Sequence, residues 1–167
     1  MIDATAGGFA AAKDNPWVYV RLSDAVQVAV TDPEADGSLE WDLALKRDVI
    51  RTNGGDSGPG SAGAARTTNA FAGVTSADVT GATFAVDDFL DAQCEALTDP
   101  TGKPLTAMAD WYDYDSGAMT LSPKPLTFIV RAADGQTHYK LEIVDYYLTP
   151  EAGPKLSANY TIRVAAL

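Results

Sequence analysis

The sequence has little of what redox, metal-binding or hydrolytic proteins are built from. Its 167 residues hold one cysteine, Cys94, and one histidine, His138. A lone cysteine excludes an intramolecular disulfide and any zinc site made of several thiolates, and Cys94 reads as a small buried hydrophobe rather than a reactive thiol. No apolar run approaches the roughly 20 residues of a membrane-spanning helix, so no transmembrane segment is expected. Basic residues are also scarce, 12 Lys and Arg against 23 Asp and Glu, for a net charge of −11. That charge repels phosphate backbones and anionic membranes, which removes nucleic acid from the expected partners. The opening MIDATAGG has neither the basic nor the apolar region of a signal peptide. The chain is therefore expected to be cytosolic, or exported with an initiator Met in place of its leader.

Catalytic motifs are missing in the same way. Gly54 to Ala65 is rich in Gly, Ser and Ala, but no Lys-Ser/Thr follows its glycines and no helix pattern leads out of it, so it is not a phosphate cradle. There is no Gly-x-Ser-x-Gly elbow, and a hydrolytic triad would have to recruit His138 from within a strand. The expectation is a protein that is not an enzyme. No repeat of fixed period suggests a propeller or solenoid.

What is present is two-residue alternation. Trp17 to Leu22 and Ala25 to Val30, separated by Ser-Asp, read as a hairpin. Trp41 to Leu45 and Asp48 to Thr52 read as strand, either two pieces or one long strand through Lys46 and Arg47, closed by Asn53-Gly54-Gly55. Ala70 to Val86 offers short β-prone pieces, and Asp87 to Leu97 is the one expected helix. Leu126 to Arg131 and His138 to Leu148 flank an Asp-Gly turn, a strong hairpin signal, and Asn159 to Ala165 supplies a last strand. The fold class is all-β: a single antiparallel domain, residues 1–167, with minor helix.

Two constellations stand out. Asp113-Tyr114-Asp115-Ser116-Gly117 has the front of a calcium loop but lacks its closing Glu, and reads first as a turn. Around it lie Met108, Trp111, Tyr112, Tyr114, Met119 and Pro123, in a segment that otherwise looks like loop. Aromatics and thioethers there either cap the core or line a pocket for a flat ligand, and Met is also an axial ligand of haem iron.

Taken in order, WDLALKRDVIRTNGG with its Gly/Ser loop, WYDYDSGAMTLSPKP, FIVRAADGQTHYKLEIVDYY and YTIRVA resemble the HmuY family of bacterial surface haem-binding proteins. The resemblance covers Trp41 to Ala65 and Trp111 to Ala165. It implies a HmuY-like β domain that is extracellular or on the outer-membrane surface of a Gram-negative cell and is commonly lipid-anchored. Such a protein captures haem or another tetrapyrrole and delivers it to an outer-membrane transporter. Cys94, far from a mature N-terminus, is not the lipidated residue. Haem-binding members hold the iron between two histidines or two methionines. By position Met119 matches one of these, and Trp111 and Tyr112 would contribute to the pocket. Asp87 to Leu90, where the second ligand is sought, has no His or Met. Met108 is taken as that second ligand, with His138 the chemically stronger alternative. The other implication is the same fold without haem ligation, serving as a binding or surface-assembly module for another ligand or a protein partner.

Overall fold

The computed structural model describes residues 1–100 and 102–167. In chain order the elements are β1 (Ile2–Asp3), β2 (Val18–Arg21), β3 (Val26–Val28), α1 (Asp32–Ala35), β4 (Leu43–Lys46), β5 (Val49–Thr52), β6 (Gly63–Thr67), α2 (Ser76–Thr80), β7 (Tyr112–Asp115), β8 (Thr120–Pro123), β9 (Thr127–Arg131), β10 (His138–Leu148) and β11 (Leu156–Ala166). Every named strand pairing is antiparallel. The strands form a five-stranded sheet ordered β1-β11-β10-β9-β6, a four-stranded sheet ordered β3-β2-β4-β5, and the β7–β8 hairpin. The all-β expectation holds.

Alternation decides which faces meet. Val20, Leu43 and Leu45 from the smaller sheet, Leu22 just past the end of β2, and Phe128, Val130, Leu141 and Ile143 from the larger sheet belong to a single buried cluster between the sheets. The opposite faces are covered locally. Tyr19 and Ala44 pack with Trp41 and Ala35 of α1, while Ile129 and Ala65 pack with Val74 and, at the margin, Val79 of α2.

The expected Asp87 to Leu97 helix does not form. Asp87 is buried and its carboxylate accepts from backbone N–H groups of Thr52 and Ala107, which holds the segment extended. Asp91 then accepts from the N–H groups of Gln93 and Glu95, a local turn that competes with helix. Cys94, expected to be buried, sits exposed in that turn at φ 61°. Helix occurs instead where Thr31 with Glu34, and Thr75 with Asp78, make reciprocal capping boxes. The second of these falls within the Ala70 to Val86 stretch read as β-prone, whose strand content reduces to a bridge between Ala64 and Ala85.

Of the two readings of Trp41 to Thr52, the hairpin is found. Lys46 pairs with Val49 across a turn of Arg47 and Asp48, with Arg47 at φ 54°. The Gly/Ser loop that follows is wrapped closely on its neighbours. Asn53 Nδ2 donates to the Ser38 and Trp41 carbonyls, and its Oδ1 accepts from the Gly60 N–H. A Cβ on Gly55 would stand 2.0 Å from the Asp87 carbonyl oxygen at φ +60°, so this position admits only glycine. The expected first hairpin also forms, with Arg21 pairing Val26 and Leu22 to Ala25 making the loop.

Candidate functional site

The site is assembled around the Arg47–Asp48 turn. Arg47 donates its N–H to the Ala4 carbonyl (2.8 Å) and accepts the Tyr160 O–H at its own carbonyl (2.7 Å), while its guanidinium reaches Ser157 Oγ at 3.0 Å. Asp48 accepts twice from the segment entering β7: the Trp111 indole N–H at its carbonyl (2.9 Å) and the Tyr112 O–H at Oδ2 (2.7 Å). These bonds satisfy a turn whose left-handed residue is not glycine, and they lock the β7–β8 hairpin to both sheets.

Trp111 is the hub behind the site. Its ring lies 4.6 Å from Tyr112, 5.5 Å from Tyr146 and 5.4 Å from Tyr160, in edge-on or tilted arrangements favoured by ring quadrupoles. In front of it opens a cleft of about 730 Å³, within the usual size of a small-molecule site. Tyr112, Tyr114, Tyr146 and Tyr147 form its aromatic wall, with Leu121, Phe9 and Met119 adding apolar surface. Arg47 and Lys103 are its cations, and Lys103 Nζ stands 3.8 Å from the Tyr112 ring centroid. Two other depressions, of 610 and 540 Å³, flank β6 and share Arg66 and Thr67, without aromatic walls.

Burial first, then the hydrogen bond to Asp48, raises the Tyr112 phenol far above its ordinary pKa; burial does the same to Tyr146. Both phenols are thereby held in the neutral form in the ligand-free protein.

The sequence-derived residues divide by location. Met119 and Tyr112 both line the cleft, Met119 on the β7–β8 turn at φ 52° and 77% exposed. Trp111 is buried one layer behind, and Met108 is fully buried in the central cluster with it. His138 begins β10 beside Arg131 of β9, its ring 5.4 Å from Phe84, away from the cleft lining. Asp115 accepts from the Gly117 and Ala118 N–H groups and Asp113 faces Lys124 at 3.7 Å, so the acidic pair serves a turn and an ion pair. Among the described residues no cluster of three or more His, Cys, Asp or Glu is placed to hold a metal.

Sequence reasoning missed Arg47, Lys103, Phe9, Tyr146 and Tyr147. For the last two a signal existed: alternation through Tyr139, Leu141 and Ile143 fails at Val144-Asp145-Tyr146-Tyr147. There β10 shifts register against β11, and Asp145 Oδ1 accepts from both tyrosine N–H groups.

Among the described lining residues the cleft offers aromatic surface at Tyr114 and Tyr147, two cations with the Asp48 carboxylate beside them, and one thioether, donors of the kinds that a flat, carboxylate-bearing tetrapyrrole would use. The family described as HmuY protein matches over residues 13–160. The apo HmuY analogue of Tannerella forsythia superposes with a TM-score of 0.60 at 18% identity, over 98% of this chain and 91% of that one. A candidate HmuY-like haem-binding protein of Bacteroides vulgatus gives 0.52 at 17% identity, over 89% and 84%. A candidate lipoprotein of Bacteroides fragilis gives 0.50 at 18%, over 89% and 80%. No curated protein matches the chain.

Proposed function

The chain belongs to the HmuY family, and from that premise we propose that it is a non-enzymatic, surface-associated protein of a Gram-negative bacterium that binds haem and hands it to an outer-membrane transporter. The observation that carries the reading is the cleft: four tyrosines on its lining, Arg47 and Lys103 beside them, and the Met119 thioether at its rim. Haem would stack on Tyr112 and its neighbours, its propionates directed to the two cations, with Met119 as an axial ligand. Trp111 contributes by holding Tyr112 and the Asp48 turn in place. Met108 as a second ligand requires the Thr106 to Asp110 turn to leave the core, and His138 requires a change in the strand pairing that now holds it. The lipid anchor and the export segment belong to the same reading, supported by family membership and by the Bacteroides fragilis relative.

A haemin titration followed by absorbance, on wild type and Met119→Ala together, tests it. Saturable binding with a Soret shift is expected. The substitution should change the visible spectrum and weaken binding by at least the roughly 10–100-fold that loss of a residue supporting a metal ligand costs. Absence of saturable binding to wild type would end the haem reading.

The single thioether among the described lining residues favours a second form, in which the fold holds a tetrapyrrole or another flat ligand without depending on iron. Metal-free protoporphyrin should then bind within about threefold of haemin, because stacking and charge pairing supply the affinity. A preference for haemin of roughly a hundredfold or more would restore iron ligation as the main contribution.

A further inference from the structure

Phe9 is the most exposed large apolar side chain near the site, at 89% of its full accessibility, and it lines the cleft mouth. It also borders a second depression of about 200 Å³ whose walls include Lys13, Trp17 and Val49. Its ring therefore stands on the ridge between two hollows. The arm that carries it is held at both ends: the Ala4 N–H donates to the Ala158 carbonyl on one side, and a 3₁₀ turn, Ala12–Asp14, follows on the other. Between these anchors Gly7 and Gly8 sit at φ +71° and +93°, and a Cβ on Gly8 would touch nothing within 4 Å. A Cβ on Gly7 would meet Asn15 Nδ2 at 3.2 Å and the Ala11 Cβ at 3.3 Å, and Gly8 donates its N–H to the Thr5 carbonyl and accepts from the Ala11 N–H, so the arm moves by opening this small turn at backbone angles that glycine permits.

An apolar ring left in water beside an aromatic cleft gains by covering whatever fills that cleft. Resting on the tyrosine-wall reading above, we propose that Phe9 is the cover of the site: once a planar aromatic ligand is seated, the Gly7-Gly8 arm turns the Phe9 ring from solvent onto the ligand's outer face. The ligand is then sandwiched between Phe9 and the tyrosines, which selects flat macrocycles over bulky apolar molecules of equal area. Closure follows binding, so its effect lies in the dissociation rate.

The test uses the full chain, with haemin and metal-free protoporphyrin as probes, and compares wild type, Phe9→Ala and Phe9→Trp. Covering about half a phenyl ring corresponds to roughly tenfold in affinity. Phe9→Ala should therefore release either probe about tenfold faster, with an association rate and a ligand-free melting temperature like those of wild type. Phe9→Trp should restore slow release and add an indole emission that the porphyrin quenches. Saturable binding with release from Phe9→Ala as slow as from wild type would overturn the cover while leaving the cleft reading intact. Loss of melting temperature in ligand-free Phe9→Ala would overturn it in favour of a structural role. If wild type binds neither probe, cleft and cover fall together.

Discussion

Replacing Asp87 by alanine is expected to lower the unfolding free energy by about 3–5 kcal/mol, read from urea denaturation followed by tryptophan emission. The carboxylate is buried and joins three separate parts of the chain. Its Oδ2 accepts from the Thr52 N–H at 2.8 Å and the Ser57 O–H at 2.5 Å, and its Oδ1 from the Ala107 N–H at 2.8 Å. Alanine would leave the buried Thr52 N–H and the half-buried Ala107 N–H without partners, at up to about 1–3 kcal/mol each, and would also release the Ser57 hydroxyl. The end of β5, the Gly/Ser loop and the segment leading to Met108 and Trp111 would then be free to separate. A loss below about 1 kcal/mol would mean that water replaces the carboxylate, and that the burial is less complete than the geometry implies.

The same residue gives stability a pH dependence of definite sign. Burial raises the Asp87 pKa, and the hydrogen bonds from Ser57, Ala107 and Thr52 pull it back without cancelling that effect. The folded chain therefore keeps this proton to a higher pH than the unfolded chain, whose Asp titrates near 3.9. Between those two values the native state binds more protons. The stability contributed by this group is complete below the unfolded pKa and falls as pH rises through the folded one. Asp87→Asn removes the titration while keeping an acceptor. Its stability relative to wild type should improve from about pH 4 upward and then level off. A difference that stays flat with pH would show that burial does not perturb the carboxyl.

The residues that carry two-residue alternation were legible from sequence, and those governed by buried polar contacts were not. LTFIVR and HYKLEIV state their pairing plainly, because each strand has one face toward the central cluster. DDFLDAQCEAL has helical composition, yet Asp87 is more strongly engaged by distant N–H groups than by its own segment. No local pattern announces a partner 35 residues away, as Thr52 is. The composition of the Gly/Ser loop does not show what it packs on, although its lack of side chains is what admits neighbouring carbonyls and the Asn53 amide. At the site, Tyr112 and Met119 are close in sequence, share a hairpin and line the same cleft. Met108 and Met119 are also near in sequence, but one lies in the core with Trp111 and the other in solvent. Arg47 reaches the cleft through a turn that the alternative of one long strand would have erased.

Trp111→Ala is expected to cost about 3–5 kcal/mol of stability and to abolish ligand binding under conditions where the variant remains folded. The indole fills the space behind Tyr112, Tyr146 and Tyr160, and its N–H holds the Asp48 carbonyl. Removing it takes the backing from two cleft tyrosines and frees the turn that orients Arg47. Trp111→Phe separates these contributions. It keeps an aromatic body, loses the hydrogen bond and some volume, and should cost about 1–2 kcal/mol with binding weakened only severalfold. Because Trp111 does not line the cleft, any effect on affinity must pass through the lining residues it touches, Tyr112, Asp48 and Tyr146. A double-mutant cycle between Trp111→Phe and Tyr112→Phe should therefore show coupling of at least about 0.5 kcal/mol, since both side chains bond to the same aspartate. Additive effects would assign Trp111 to the core alone and leave Tyr112 positioned by the hairpin. Coupling would mean that the layer closing the hydrophobic core is also the layer that presents the binding wall. The site could then be altered from its solvent side, at Met119 or Phe9, without loss of the fold, and not from behind.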